Sequence, residues 1–139
     1  MSTTDRRRVL VRRWLAKART DLTLATMVLE KGPDMVPWAC CFHAQQAAEK
    51  ALKAVLVAQG VEPPHAHDVG ALAALMPGDL TLDVGDDDLG DLTTFATGPR
   101  YVFDAGTEEE DPTWDEAARA VVAAGRIFAG VRAYLGEAT

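Results

Sequence analysis

Residues 38 to 59, WACCFHAQQAAEKALKAVLVAQ, contain neither glycine nor proline and lie between Pro37 and Gly60. Alanine is the best helix former, proline fits the first helical position, and glycine commonly ends a helix. The spacing therefore predicts a helix from Pro37 to about Gln59. Cys41, Gln45, Ala48, Leu52, Val55, Leu56 and Gln59 fall along one side of it. His43, Gln46, Lys50 and Lys53 fall along another, at intervals of three and four residues, and form a polar stripe. A fold built on this chain has to bury one side of that helix and find a use for the other.

The flanking sequence supplies partners. Trp14, Leu15, Ala18, Leu22, Ala25, Met27, Val28 and Leu29 recur at helical spacing and predict a first helix from about Arg6 to Glu30, stopped by Lys31-Gly32-Pro33. Pro63-Pro64 marks an extended connector. His67-Asp68 precedes VGALAALM, a short apolar helix that Pro77-Gly78 ends, with residues 79 to 85 as a loop. Asp86-Asp87-Asp88 suit a helix start before Leu89, Leu92 and Phe95, and Gly98-Pro99 breaks that segment. After the acidic stretch 104 to 112, Thr113 and Glu116 match a capping box for a last helix from Trp114 to Leu135. Its apolar side is read as Val121, Val122, Ile127, Phe128, Val131 and Leu135. No alternating apolar pattern marks a strand. The expected fold is all-α, an up-and-down bundle of four to five helices in a single domain spanning residues 1 to 139.

Charge narrows the function classes. The formal net charge is -7, which argues against a protein that coats nucleic acid by charge alone, and no DNA partner is expected. The distribution is uneven: residues 1 to 31 hold eight Lys or Arg, while residues 79 to 116 hold thirteen Asp or Glu against the single cation Arg100. The basic start reads either as a frayed terminus running into a solvated face or as a phosphate- or partner-binding patch. Cys40 and Cys41, adjacent in sequence, point apart on a helix and suit free thiols better than a disulfide. MSTTDRRR leads into no signal-like apolar core, and no apolar run approaches the ~20 residues that span a bilayer. A cytoplasmic protein with no membrane partner is the expectation. Only 6% of residues are aromatic, so the core is modest. Burying further apolar surface between copies, at roughly 25 cal/mol per Å², favours a homodimer.

Several stretches together carry a resemblance. Trp14, Ala18, Asp21, Leu22 and Ala25 form W-x-x-x-A-x-x-D-L-x-x-A; FHAQQAAEKALKAVLVAQG fills Phe42 to Gly60; His67-Asp68 follows a proline turn; and Arg100-Tyr101 stands before the acidic stretch. This resembles the HEPN domain family, small helical-bundle proteins often paired with a minimal nucleotidyltransferase. The resemblance implies a helical bundle, usually a homodimer. Some members are metal-independent ribonucleases, often toxins, whose motif is Arg, four to six residues, then His, assembled across the dimer interface. Others lack the motif and serve as binding partners or nucleotide-binding scaffolds. Here no Arg stands at that distance before His43, His65 or His67, so the ribonuclease motif is absent.

The candidate ligand-binding residues are His43, Gln46, Lys50, Lys53, His67 and Arg100. Lys50 and Lys53 suit a phosphate, His43 and Gln46 a base or sugar; the bland alternative is a solvated helix face or a polar dimer contact. His67-Asp68 reads as a charged pair or as a capping turn. Arg100 suits a carboxylate or phosphate, or an internal ion pair with Glu49. No catalytic residue, metal site or cofactor is assigned. The acidic blocks lack the alternating ligands of a calcium loop, and no phosphate-cradling glycine loop is present. The expected function is a non-catalytic binding or interaction module: nucleotide-binding, or the partner of a minimal nucleotidyltransferase in a toxin–antitoxin-like pair. The rival is a ribonuclease with a non-standard site, built on Arg100 and His67, that would act on RNA.

Overall fold

The computed structural model describes residues 1–95 and 111–136. Five α-helices occur among them: α1 (Thr3–Lys31), α2 (Pro37–Ala58), α3 (Val69–Ala74), α4 (Asp86–Thr94) and α5 (Trp114–Leu135). No strand forms among the described residues.

Local chemistry sets the helix ends. α1 begins at Thr3, not near Arg6, because Ser2 and Asp5 close a capping box: the Asp5 amide donates to Ser2 Oγ at 3.1 Å and the Asp5 carboxylate reaches back to the Ser2 amide. The basic start is therefore the first turns of a helix and not a frayed end. Gly32 ends α1, and a single 3-10 turn over Gly32–Asp34 carries the chain round to Pro37. At the far end of α2, Gly60 takes a left-handed φ of 77°; its amide donates to Val57 O and the Val61 amide donates to Leu56 O. These two bonds satisfy carbonyls that the helix end would otherwise leave open. Asp68 caps α3 through the Ala71 amide, and Thr113 with Glu116 forms the capping box of α5.

α2 is the axis of the bundle. It packs most extensively on α1, then on α5, with α3 and α4 closing its remaining side. Asp21 meets His43 and Lys50, Trp14 meets Lys53, and Arg7 meets Gly60, so α1 and α2 run antiparallel. α3 and α4 return the chain so that α5 starts beside the start of α2, where the Cys40 thiol lies 3.8 Å from Ala117 O. The seam is built largely of small residues: Ala18, Ala25, Ala44, Ala47, Ala48, Ala51, Ala117 and Ala124 are all fully covered. Close helix approach follows from the absence of bulk, and Leu52, Leu72, Leu92 and Ile127 supply the larger apolar volume. Three expected core positions lie outside this seam. Met27 and Val122 are 53% exposed, and Gln59 sits exposed at the C-cap of α2.

Cys40 and Cys41 are free and buried. Burial pushes their thiols up from 9.0 to about 11 and about 12 respectively, Cys41 being raised further by Cys40 and Glu116 nearby. The folded chain thus keeps protons that the unfolded chain releases once pH passes the ordinary thiol value. This contribution to stability is complete below pH 9.0 and falls away as pH rises toward 11 and 12. Urea midpoints should drop across that window, and less steeply in a Cys40→Ala, Cys41→Ala variant. An aromatic disulfide reagent at neutral pH should leave both thiols untouched until denaturant is added; rapid reaction of the folded protein would refute their placement.

Candidate functional site

The polar stripe of α2 is not an open charged face. It is woven into two clusters, each centred on a buried carboxylate. In the first, Asp21 projects from α1 and is 7% exposed. One of its oxygens lies 2.9 Å from His43 Nδ1, and the other accepts from Lys50 Nζ. In the second, Glu49 of α2 is 3% exposed. Its Oε1 accepts from Gln45 Nε2 at 3.1 Å and lies 2.8 Å from His67 Nδ1, while Oε2 accepts from Lys53 Nζ at 3.2 Å. Gln45 Nε2 also donates to the His67 carbonyl, and Gln45 Oε1 accepts from Gln46 Nε2 at 2.7 Å. Lys53 Nζ sits 5.8 Å from the centre of the Trp14 ring, a second favourable contact for a buried ammonium.

An ionised carboxylate only accepts, so Nδ1 of each imidazole carries the hydrogen toward Asp21 or Glu49 and Nε2 is the ring nitrogen turned away from it. Two carboxylates, Asp21 and Glu49, face the two ammonium groups of Lys50 and Lys53. No buried side-chain nitrogen or oxygen among the described residues lacks a hydrogen-bond partner. Such a network holds geometry tightly, because any missing member leaves a costly unpaired group. Exposure is graded across it. The Lys53 side chain is 7% exposed, Lys50 22%, His43 29% and His67 62%. Lys53 is therefore a structural cation, and the edge that faces solvent consists of His43, Gln46, Lys50 and His67.

Among the expected site residues, His43 and Lys50 come together on Asp21, and Lys53 and His67 on Glu49. Gln46 joins the second cluster through Gln45. Arg100, and with it the expected Arg100–Glu49 pair, lies outside the described residues. His67 and Asp68 do not pair with each other: Asp68 caps α3 and accepts from Thr93 Oγ1 at 3.2 Å, while His67 turns toward Glu49. The carboxylates Asp21 and Glu49 escaped sequence reasoning as site residues. A signal for each was present: Asp21 falls three residues after Ala18 and four before Ala25 on the buried side of α1, and Glu49 stands midway between Gln45 and Lys53 at four-residue steps.

A family model of the HEPN domain matches residues 11–134, from the first buried valine of α1 to the last turn of α5. The chain belongs to the HEPN family. Two solved structures share this HEPN fold. The crystal structure of TT1696 from Thermus thermophilus is 35% identical, superposes with a TM-score of 0.68, and covers 88% of this chain and 96% of its own. ST0689, an archaeal HEPN homologue, is 25% identical with a TM-score of 0.63, covering 90% of this chain and 97% of its own. No curated protein matches the chain. Both buried-carboxylate clusters lie within the HEPN match, so they belong to the body of the fold and not to an appendage. No described helix is long and apolar enough to cross a membrane, and no group of three or more described His, Cys, Asp or Glu side chains is arranged to hold a metal ion.

Proposed function

We propose that this HEPN chain is a non-catalytic interaction module that dimerises and serves as the partner of a minimal nucleotidyltransferase, in a toxin–antitoxin-like pair. The observation that carries the reading is the occupancy of the α2 lysines. Lys50 and Lys53 are neutralised by Asp21 and Glu49, and Lys53 is buried. A nucleotide phosphate would have to displace carboxylates already in place, a poor exchange for a buried pair. The exposed edge of the network offers held hydrogen-bonding groups, His43 Nε2, the Gln46 amide and His67 Nε2, which suit a macromolecular surface. Exposed apolar side chains flank these elements in sequence, Leu24 three residues after Asp21 and Met35 and Val36 just before α2, at 38%, 40% and 45%. The absence of the Arg-x4-6-His motif from the sequence removes the usual basis for ribonuclease chemistry.

Light scattering of the purified chain at micromolar concentration tests the dimer. The expected mass is twice the 14.9 kDa of one chain, unchanged by nucleotide. A monomer mass removes the homodimer. Calorimetric titration with nucleoside triphosphates is expected to show no heat of binding; a saturable response lost in Lys50→Ala would turn the face into a nucleotide site.

A further inference from the structure

The start of α1 and the end of α2 leave an open groove of about 350 Å³ between them, away from the Asp21 and Glu49 clusters. Its lining is partly aliphatic, with Leu10, Val57, Val61 and Pro63. Its rim carries two guanidinium groups, Arg6 and Arg7, and one carboxylate, Glu62. Among the described residues, neither guanidinium has an ion-pair or hydrogen-bond partner. Leu10 is 44% exposed and Val61 49%, so each wall presents an aliphatic side chain to water.

Arg7 does not sweep freely through solvent. A Cβ built on Gly60 would fall 2.9 Å from Arg7 Nη2, so the guanidinium lies against the backbone just past the C-terminal end of α2. The negative end of the helix dipole favours a cation there. Gly60, needed for its left-handed φ, also gives Arg7 room to lie flat. The groove therefore has a fixed positive charge beside its aliphatic lining.

The surrounding field selects the partner. The chain carries a net charge of -7, yet five of its cations, Arg6, Arg7, Arg8, Arg12 and Arg13, fall in the first 13 residues. An acidic partner is repelled by most of the surface and drawn to this end of α1. A nucleic acid fits less well: the lining has no aromatic side chain to stack a base, and Glu62 stands on the rim against a phosphate backbone. We infer that the groove between the start of α1 and the end of α2 docks an acidic, leucine-rich peptide segment of a partner protein. Its aliphatic side chains enter between Leu10, Val57 and Val61, and its carboxylates meet Arg6 and Arg7. The inference rests on the interaction-module reading and adds a second surface to the α2 edge.

The probe is a short fluorescein-labelled peptide of alternating glutamate and leucine, followed by anisotropy against the full chain at low ionic strength. A lysine–leucine peptide and a labelled oligouridylate serve as comparisons. The glutamate–leucine peptide should bind, with the lysine–leucine peptide at least about tenfold weaker, as charge complementarity requires. Arg6→Glu, a change at an exposed position, should weaken binding about tenfold at low salt and less as screening grows. Leu10→Asn should weaken it at all salt concentrations. Equal binding of the two peptides, affinity unchanged within about twofold in Arg6→Glu and Leu10→Asn, or preference for the oligouridylate would each overturn the assignment. A chain that is dimeric in light scattering and fails to bind the peptide loses this groove while the interaction-module reading stands; a monomer that binds it keeps the groove and loses the homodimer.

Discussion

Glu49→Ala is expected to destabilise the fold by about 3–5 kcal/mol, the scale seen when one member of a buried ion pair is removed. The reason is not the loss of attraction alone. Glu49 is the common acceptor for Lys53, Gln45 and His67. Without it the Lys53 ammonium, 7% exposed, stays buried with the Trp14 ring as its remaining contact. The urea midpoint should fall steeply with little change in the slope of the transition. Replacing both partners, Glu49→Leu with Lys53→Met, should recover much of the loss, since a buried pair exchanged for apolar side chains of similar volume is often close to neutral. His67→Ala should cost about 1 kcal/mol or less, because its side chain is 62% exposed and surface pairs are worth little. If Glu49→Ala and His67→Ala prove equally mild, the carboxylate is not the keystone of the cluster.

Leu52→Ala is expected to have the second large effect, about 3–5 kcal/mol, the upper part of the range for leucine truncation in a core. Leu52 is fully buried and is among the largest fully covered side chains of the described residues. Its neighbours along α2 are Ala48, Ala51 and Val55, all fully buried. Alanines have no rotamers with which to fill a vacancy, so the cavity stays close to its full volume. Thermal and urea unfolding would both report the loss; a cost under about 1.5 kcal/mol would mean the helices close over the gap.

The helices were legible in the sequence because their ends carry strong local chemistry. Trp114–Leu135 follows from Thr113 with Glu116, and α2 from Pro37 and Gly60. The start of α1 was less legible: Ser2 and Asp5 form the same kind of box, masked by the run of arginines that follows. Periodicity placed Met27 and Val122 inside because it records spacing and not which neighbour arrives to cover a given arc of helix. The site was half legible. The polar stripe of α2 showed as a face, but its meaning depends on α1, which supplies Asp21 across the seam, and on the connector, which supplies His67. Lys50 and Lys53 look alike on a helical wheel; the packing of α1 leaves one half-buried beside Asp21 and the other buried beside Trp14. Long-range pairing of this kind is set by packing, and no local pattern encodes it.

The most direct test of the interaction-module account is gentle affinity purification of the tagged chain from its own cells, followed by mass spectrometry and densitometry of what accompanies it. The account predicts a minimal nucleotidyltransferase retained in near-equal amount, lost when the α2 edge is altered by His43→Ala with Gln46→Ala. Recovery of the chain without that partner, together with cleavage of single-stranded RNA by the purified chain in the presence of a chelator, would contradict it.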